Sequence, residues 1–194
     1  MKVGDVTFIE DYQMNLTVEY EFENPTALAY SSNKNSVAIY PMAAFSICPE
    51  SGKLVKNAIV FVTEDRLHDH NQVVQFEIEA VNILRSKGIQ VTNILRFTDT
   101  CSNQYRSKNC NSDLRMLPSL LGIEGIITWG YFEAGEGKNL SDTIGALVKM
   151  SFVRGMKKED RGIQSVTDVV EIMRKNIQEE TKQFKNLVIV EIGP

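Results

Sequence analysis

Hydrophobic and polar positions follow two different periods along this chain, and each period predicts one kind of element. Alternating β-branched and aromatic residues are typical of strands, and apolar residues three or four positions apart are typical of one face of a helix. An early strand is predicted from Val6 to Ile9, with an end or bend near Asp11 before a second apolar run, Leu16 to Tyr20. Further strands are predicted at 37–47, 58–63, 92–97, 125–132 and 187–192, and helices at 71–87, 103–121, 142–154 and 166–184.

The order of these elements predicts an α/β fold. Three early strands are joined by turn-forming residues, such as those at 49–52, and helices separate the later strands. Short turns favour antiparallel neighbours, whereas helical crossovers favour parallel ones. We therefore expect a mixed five-stranded sheet flanked by helices, in the order found in ribonuclease H-like folds, with an appended C-terminal helix and strand. The 194 residues are predicted to form a single domain, with a core at about 5–156 and an extension at about 157–194.

Three acidic residues fall where this fold would bring them to one edge of the sheet. Asp11 is at the end of the first strand, Asp99 at the end of the fourth, and Asp142 in the first turn of the helix after the fifth. Two-metal phosphoryl transfer needs oxygen ligands converging on hard cations about 4 Å apart. The three carboxylates are thus candidate ligands of Mg²⁺ or Mn²⁺. The alternative is that each is a turn or capping residue, which is the commoner use of Asp at such positions.

Two longer motifs surround the second and third of these carboxylates. Residues 97–108 read Phe-Thr-Asp-Thr-Cys-Ser-Asn-Gln-Tyr-Arg-Ser-Lys, and residues 132–145, with Lys149 beyond them, read Phe-Glu-Ala-Gly-Glu-Gly-Lys-Asn-Leu-Ser-Asp-Thr-Ile-Gly. The first resembles the Ser-Asp-Gly-x-x-x-Gln-Tyr/Phe-Lys segment of a large, mostly uncharacterised group of transposon-derived proteins with a DDE-type catalytic domain. The second is similar to their His-Gly-Lys-x-x-x-Asp-x-x-Gly-x-x-x-Lys segment. Shorter similarities at 11–15 and 63–73 extend the resemblance over roughly residues 8–155.

This resemblance implies a ribonuclease H-like transposase or integrase core that cleaves or joins DNA phosphodiester bonds with a pair of metal ions. Asp11, Asp99 and Asp142 would then be both catalytic residues and metal ligands. The chain departs from the family pattern at Glu136, which stands where the family has His, at Thr100 in place of Gly, and at Met14 in place of an acid. Glu136 adds an anion beside the triad, where it could bind metal or repel a substrate phosphate, so it is a fourth candidate catalytic residue.

Polar residues near these motifs are candidates for contacts to a nucleic-acid substrate. Lys and Arg side chains can hold phosphate oxygens, although a solvated helix face explains most of them equally well. For His68, a loop that caps the following helix through Asp69 or Asn71 is the alternative to a role near the site. The candidate substrate-binding residues are Gln104, Arg106, Lys108, Lys138, Lys149 and His68.

Overall charge keeps other functions open. The formal net charge is −4 and the pI about 5.3, so the chain lacks the global basic field of many nucleic-acid binders. An acidic enzyme can still meet phosphates through local Lys and Arg. One alternative is a degenerate, domesticated transposase domain that binds nucleic acid or a protein. Another is a nuclease acting on DNA junctions or RNA/DNA hybrids.

Cysteine content and hydropathy indicate the cellular setting. Cys48, Cys101 and Cys110 are odd in number and lack CxxC spacing, which argues against a disulfide framework or a zinc cluster. We expect a reducing, intracellular compartment, the nucleus if the host is a eukaryote. No signal-peptide pattern or membrane-length apolar run is present, so a soluble protein with no membrane partner is predicted. The sequence does not indicate an oligomeric state.

Overall fold

A computed structural model describes residues 1–17, 36–65, 67–98, 115–132, 140–158, 163, 165–180 and 186–193. In these ranges the protein is mixed α/β, with seven strands in one sheet and four helices. The strands are β1 (Asp5–Glu10), β2 (Gln13–Thr17), β3 (Ser36–Ile47), β4 (Leu54–Thr63), β5 (Asn93–Thr98), β6 (Ile127–Tyr131) and β7 (Leu187–Ile192). The helices are α1 (His70–Ser86), α2 (residues 115–120), α3 (Leu140–Met156) and α4 (Val166–Glu180).

The sheet combines antiparallel and parallel pairing, as the element order predicts. Its strand order is β6-β5-β1-β3-β4-β7, with β2 also paired to β3. β3 is antiparallel to β1, β2 and β4, whereas β5 is parallel to β1, β6 to β5, and β7 to β4. Every described strand except β3 therefore runs in one direction. We call the edge at which β1, β4, β5 and β6 end the carboxyl edge.

The predicted number of five strands is wrong, because two further segments join the same sheet. β7 pairs with β4 along its whole length, from Leu187 opposite Ala58 to Ile192 opposite Thr63, rather than standing apart as an appendage. β2 adds to β3 beyond the end of β1. Both segments are short, and their pairing depends on contacts with residues far away in the sequence.

The interruption between β1 and β2 lies opposite a proline. Glu10 pairs with Met42 and Gln13 with Ile39, so the register is kept across the break and sets Asp11 opposite Pro41; it shifts only later, between Gln13 and Leu16. Proline has no N–H to donate, so it is tolerated in a sheet where pairing is interrupted. The strand end predicted near Asp11 thus has a physical cause in the neighbouring strand.

Each face of the sheet is covered by its own helices. On one face, Phe76 of α1 stacks on Phe61 of β4 with ring centroids 4.9 Å apart, within a core that also includes Leu117 of α2. On the other face, Val148 of α3 and Val170 of α4 belong to a second core. Burial of these two apolar faces is the main favourable term in folding.

Local chemistry explains where α1 begins and ends. Asp69 is its N-cap, and the carboxylate accepts a 3.0 Å hydrogen bond from the Gln72 N–H. Gly88 follows the helix with φ of 77°, a left-handed conformation that glycine adopts without strain. The predicted capping by Asp69 is confirmed. None of the helices in the described ranges has the length and apolar composition needed to cross a membrane.

Candidate functional site

The carboxyl edge begins with Asp11, which directly follows β1. It is half-buried and takes part in a polar or charge interaction. The adjacent parallel strand β5 ends at Thr98, and the next residue in the sequence is Asp99. Asp99 lies outside the described residues, so its convergence with Asp11 stays a prediction.

His68 lies beside the break between β1 and β2, the segment that contains Asp11. Its ring stacks on Tyr12, with centroids 4.2 Å apart and an interplanar angle of 12°. His68 Nε2 donates to Asn15 Oδ1 at 2.6 Å, since that oxygen can only accept. Two of the weakly matching sequence segments, 11–15 and 63–73, are therefore in contact.

The backbone at His68 is unusual for a residue with a side chain. Its φ is 51°, in the left-handed region that non-glycine residues rarely adopt. Such conformations persist where the surroundings fix them, and they are frequent at functional sites. Partial burial lowers the pKa of His68, which favours the neutral imidazole, while the nearby Asp65 acts in the opposite direction.

Tyr12 ties the break to the start of α1. Its hydroxyl donates to Gln72 Oε1 at 2.7 Å, and its ring packs edge-on against Tyr40 of β3, with centroids 4.6 Å apart. Burial raises the pKa of Tyr12, and the carboxylates of Asp69, Asp65 and Glu10 add to the rise. Tyr12 is therefore a neutral hydrogen-bond donor that holds the break against the helix.

Three charged residues lie behind this edge in the core, and we call them the buried trio: Glu10 of β1, Glu77 of α1 and Arg96 of β5. All three are at most 1% exposed. Arg96 Nε donates to Glu10 Oε1 at 2.7 Å, Nη2 donates to the same oxygen, and Nε is in ion-pair contact with Glu77 Oε1. The guanidinium also lies 3.8 Å from the centroid of the Trp129 ring on β6. The trio thus connects four secondary-structure elements.

The charges of the trio shift one another. Burial raises the pKa of Glu77 well above its ordinary value, Arg96 opposes the rise, and Glu10 adds to it. Burial alone would lower the pKa of Arg96, but the carboxylates of Glu10 and Glu77 outweigh it and raise the pKa. Arg96 is therefore permanently cationic, and Glu77 is the member that favours its neutral form.

The remaining predicted residues divide into two groups. Asp142 is in the first turn of α3 and Lys149 is seven positions later, on the same side of the helix; both are half-buried, and burial lowers the pKa of Lys149. Residues 132–139 separate the end of β6 from α3. The others lie outside the described residues, as Asp99 does: Gln104, Arg106, Lys108, Glu136 and Lys138.

The donor chemistry decides which carboxylates suit a metal ion. Arg96 already serves as the counter-ion of Glu10 and Glu77, and the space around them is closed to solvent, so this pair does not fit a hydrated divalent cation. Asp11 and Asp142 are partly exposed oxygen donors and have the right chemistry. Within the described ranges, no group of three or more His, Cys, Asp or Glu side chains could hold a metal ion.

The buried trio and Tyr12 are absent from the set predicted from sequence. A signal for the trio was present: Glu10 follows Val6 and Phe8 at alternate positions, and Glu77 occupies the apolar stripe of α1 between Val73 and Val81. A charged residue at an inward position needs a partner, because an unpaired buried charge is very costly. The sequence alone does not say which residue is that partner.

Comparisons with known proteins give a family and distant structural likenesses. No curated protein matches the chain. The crystal structure of NurA bound to dAMP and manganese is similar at 14% identity, covering 93% of this chain and 39% of the NurA chain, with a TM-score of 0.19. A TM-score this low carries no argument about fold or function. Residues 1–190 match the family described as "Domain of unknown function (DUF8701)", and the chain belongs to that family.

Proposed function

We propose that the chain is a ribonuclease H-like domain that uses divalent metal ions to cleave or transfer DNA phosphodiester bonds at the carboxyl edge. The observation that supports this most is the strand order. β3 is antiparallel to its neighbours β1 and β4, and β5 and then β6 are added parallel to β1 on its other side. Asp11 and Asp99 directly follow β1 and β5, which are parallel neighbours. Carboxylates that follow such neighbours are well placed to share metal ions.

In this proposal, Asp11, Asp99 and Asp142 hold Mg²⁺ or Mn²⁺ through their carboxylate oxygens, with Glu136 beside them. A bound metal pair supplies a nucleophile at neutral pH and neutralises charge on the leaving oxygen. His68 is available as a hydrogen-bonding group near Asp11, because its ring is held by Tyr12 and Asn15. Gln104, Arg106, Lys108, Lys138 and Lys149 would contact substrate phosphates.

A nicking assay tests the proposal. Purified protein should nick DNA in Mg²⁺ or Mn²⁺, and Asp11→Asn and Asp99→Ala should each lower the rate by at least about a hundredfold. Glu124→Gln is the matched control, since Glu124 is exposed and precedes β6, at the opposite end of that strand. Equal activity in Asp99→Ala and the wild type would contradict the assignment. Duplex, junction and RNA/DNA-hybrid substrates tested in parallel distinguish a transposase-type core from a junction or hybrid nuclease.

A second function is favoured by the buried trio. Arg96 is in ion-pair contact with two carboxyl groups directly behind the candidate edge, an arrangement that suits a structural role better than metal chemistry. Together with the net charge of −4 this favours a domesticated domain that binds nucleic acid or protein without cutting. Calorimetric titration with Mn²⁺ separates the two: no binding at millimolar metal favours the binding module, and binding that Asp11→Asn abolishes favours the enzyme.

A further inference from the structure

The buried trio holds one positive and two negative groups in a space without solvent. Arg96 directs both Nε and Nη2 at a single oxygen, Glu10 Oε1. In the described part of the chain, Glu10 Oε2 and both carboxyl oxygens of Glu77 lack a hydrogen-bond partner, although Glu77 Oε1 is in ion-pair contact with Arg96 Nε. Buried carboxylate oxygens without donors are costly, and a second negative charge beside one cation adds to that cost.

One proton resolves both problems. Glu10 Oε1 and Glu77 Oε1 both lie against the same atom, Arg96 Nε, so the two carboxyl groups are neighbours in the core. A proton on Glu77, donated to Glu10, supplies a donor to Glu10 and makes the trio electrically neutral. We infer that the folded protein binds a proton at Glu77, and that this proton is a clasp that joins α1 to β1 and β5.

Within the ranges that the structure describes, the groups around the trio do not supply another proton or charge near neutral pH. Tyr40 of β3 interacts electrostatically with Arg96, and Tyr12, which follows β1, interacts electrostatically with Glu10. Both are phenols, which are neutral near pH 7. From β6, the neighbour of Arg96 is Trp129, which does not titrate. Glu77 is therefore the member of this cluster whose charge changes above the acid range.

The clasp makes stability depend on pH with a defined sign. The pKa of Glu77 is raised in the folded state, mainly by burial, so the folded protein holds a proton that the unfolded chain releases above about pH 4.3. The stabilisation is complete below that pH and is lost as pH rises toward the folded-state value. Alkaline pH should thus loosen α1 from the sheet, together with the Gln72–Tyr12 contact at its start.

Urea unfolding from pH 5 to pH 8 tests the inference. The unfolding equilibrium constant of the wild type, divided by that of Glu77→Gln, should rise with pH, by up to about tenfold for each unit below the raised pKa of folded Glu77, because one proton is released on unfolding. Glu79→Gln is the matched control, on the same helix and partly exposed; its ratio to the wild type should stay constant within about twofold. A wild-type to Glu77→Gln ratio that does not change with pH would overturn the inference.

A second measurement can refute the inference in the wild-type protein alone. In wild-type protein labelled with ¹³C at the glutamate carboxyl groups, NMR at pH 7 should show at least one resonance at the position of a protonated acid, and that resonance should be missing from Glu77→Gln. Spectra in which every glutamate carboxyl is ionised at pH 7 would also overturn the inference.

Discussion

Replacing Arg96 by Met tests how much the fold depends on its one described buried guanidinium. Methionine keeps an unbranched apolar stem but removes the positively charged guanidinium that lies over Trp129. Glu10, which is fully buried, then loses the partner that donates twice to its Oε1. It must either remain charged in the core or take up a proton.

The expected loss of stability is calculated for a protonated carboxyl group, because protonation costs less free energy than keeping an unpaired charge in the core. Protonating an ordinary carboxyl group, with a pKa of about 4.3, costs about 1.36 kcal/mol for each pH unit above that value, or about 3.7 kcal/mol at pH 7. Loss of the cation–π contact with Trp129 adds about 1 kcal/mol. We expect Arg96→Met to lower the free energy of unfolding by about 3–5 kcal/mol at pH 7, the range typical for breaking a buried ion pair.

Urea unfolding at pH 7 and pH 5 is the assay. Because the extra proton on Glu10 is taken up more easily in acid, the penalty should shrink as pH falls, by up to about 1.4 kcal/mol per unit. Arg85→Met is the control: Arg85 is exposed and donates to the Gly122 carbonyl at 2.9 Å, so less than about 1 kcal/mol is expected. An Arg96→Met penalty below 1 kcal/mol, or one equal at both pH values, would refute the reasoning. Adding Glu10→Gln to Arg96→Met should restore part of the loss.

Two further predictions concern the helices. Asp69→Ala removes the N-cap of α1 and should lower the free energy of unfolding by about 1 kcal/mol in thermal or urea unfolding. Asn71→Ala, at an exposed position in the first turn, should lower it by less than about 0.5 kcal/mol. Equal effects of the two substitutions would contradict the capping assignment. Gly155→Ala should destabilise the protein by about 1–3 kcal/mol, because the new Cβ would lie 2.5 Å from Ile172 Cγ2 and would also overlap Asn176 of α4. Helix propensity alone predicts the opposite, a more stable variant. A stabilised variant would show that α3 and α4 can move apart.

Local patterns predicted where the helices and strands lie better than which strands pair with each other. The last strand, 187–192, and α1 were predicted within a residue of their observed bounds, because apolar runs and a capping Asp act over a few positions. That this last strand pairs with β4 depends on contacts between residues far apart in the sequence, such as Asn186 and Lys56, which are 130 positions apart, and no local pattern carries that information.

The candidate site divides in the same way. Asp11 could be predicted as a strand end, and the resemblance of 63–73 suggested that His68 is nearby. The stacking of His68 on Tyr12 and the contact of Arg96 with Glu10 join residues more than fifty positions apart, so they emerge only when the sheet forms. Charged residues at inward positions of a strand or helix are the signal that the sequence offers for these contacts.

The metal site at Asp11 and the proton clasp at Glu77 assign different roles to two acidic residues, and one metal titration tests both assignments. If divalent ions bind at the carboxyl edge, Asp11→Asn should abolish Mn²⁺ binding, and Glu77→Gln should leave it unchanged, because Arg96 and a proton already balance the trio. If Glu77→Gln abolished binding and Asp11→Asn did not, the metal would belong to the buried pair, and both the clasp and the assignment of Asp11 would fail. Asp11 and Glu10 are consecutive residues, yet one follows the strand at a half-exposed break and the other lies in the core. The break opposite Pro41 leaves the carboxyl group of Asp11 partly exposed, whereas that of Glu10 is buried. Two adjacent carboxyl groups are therefore suited to different chemistry.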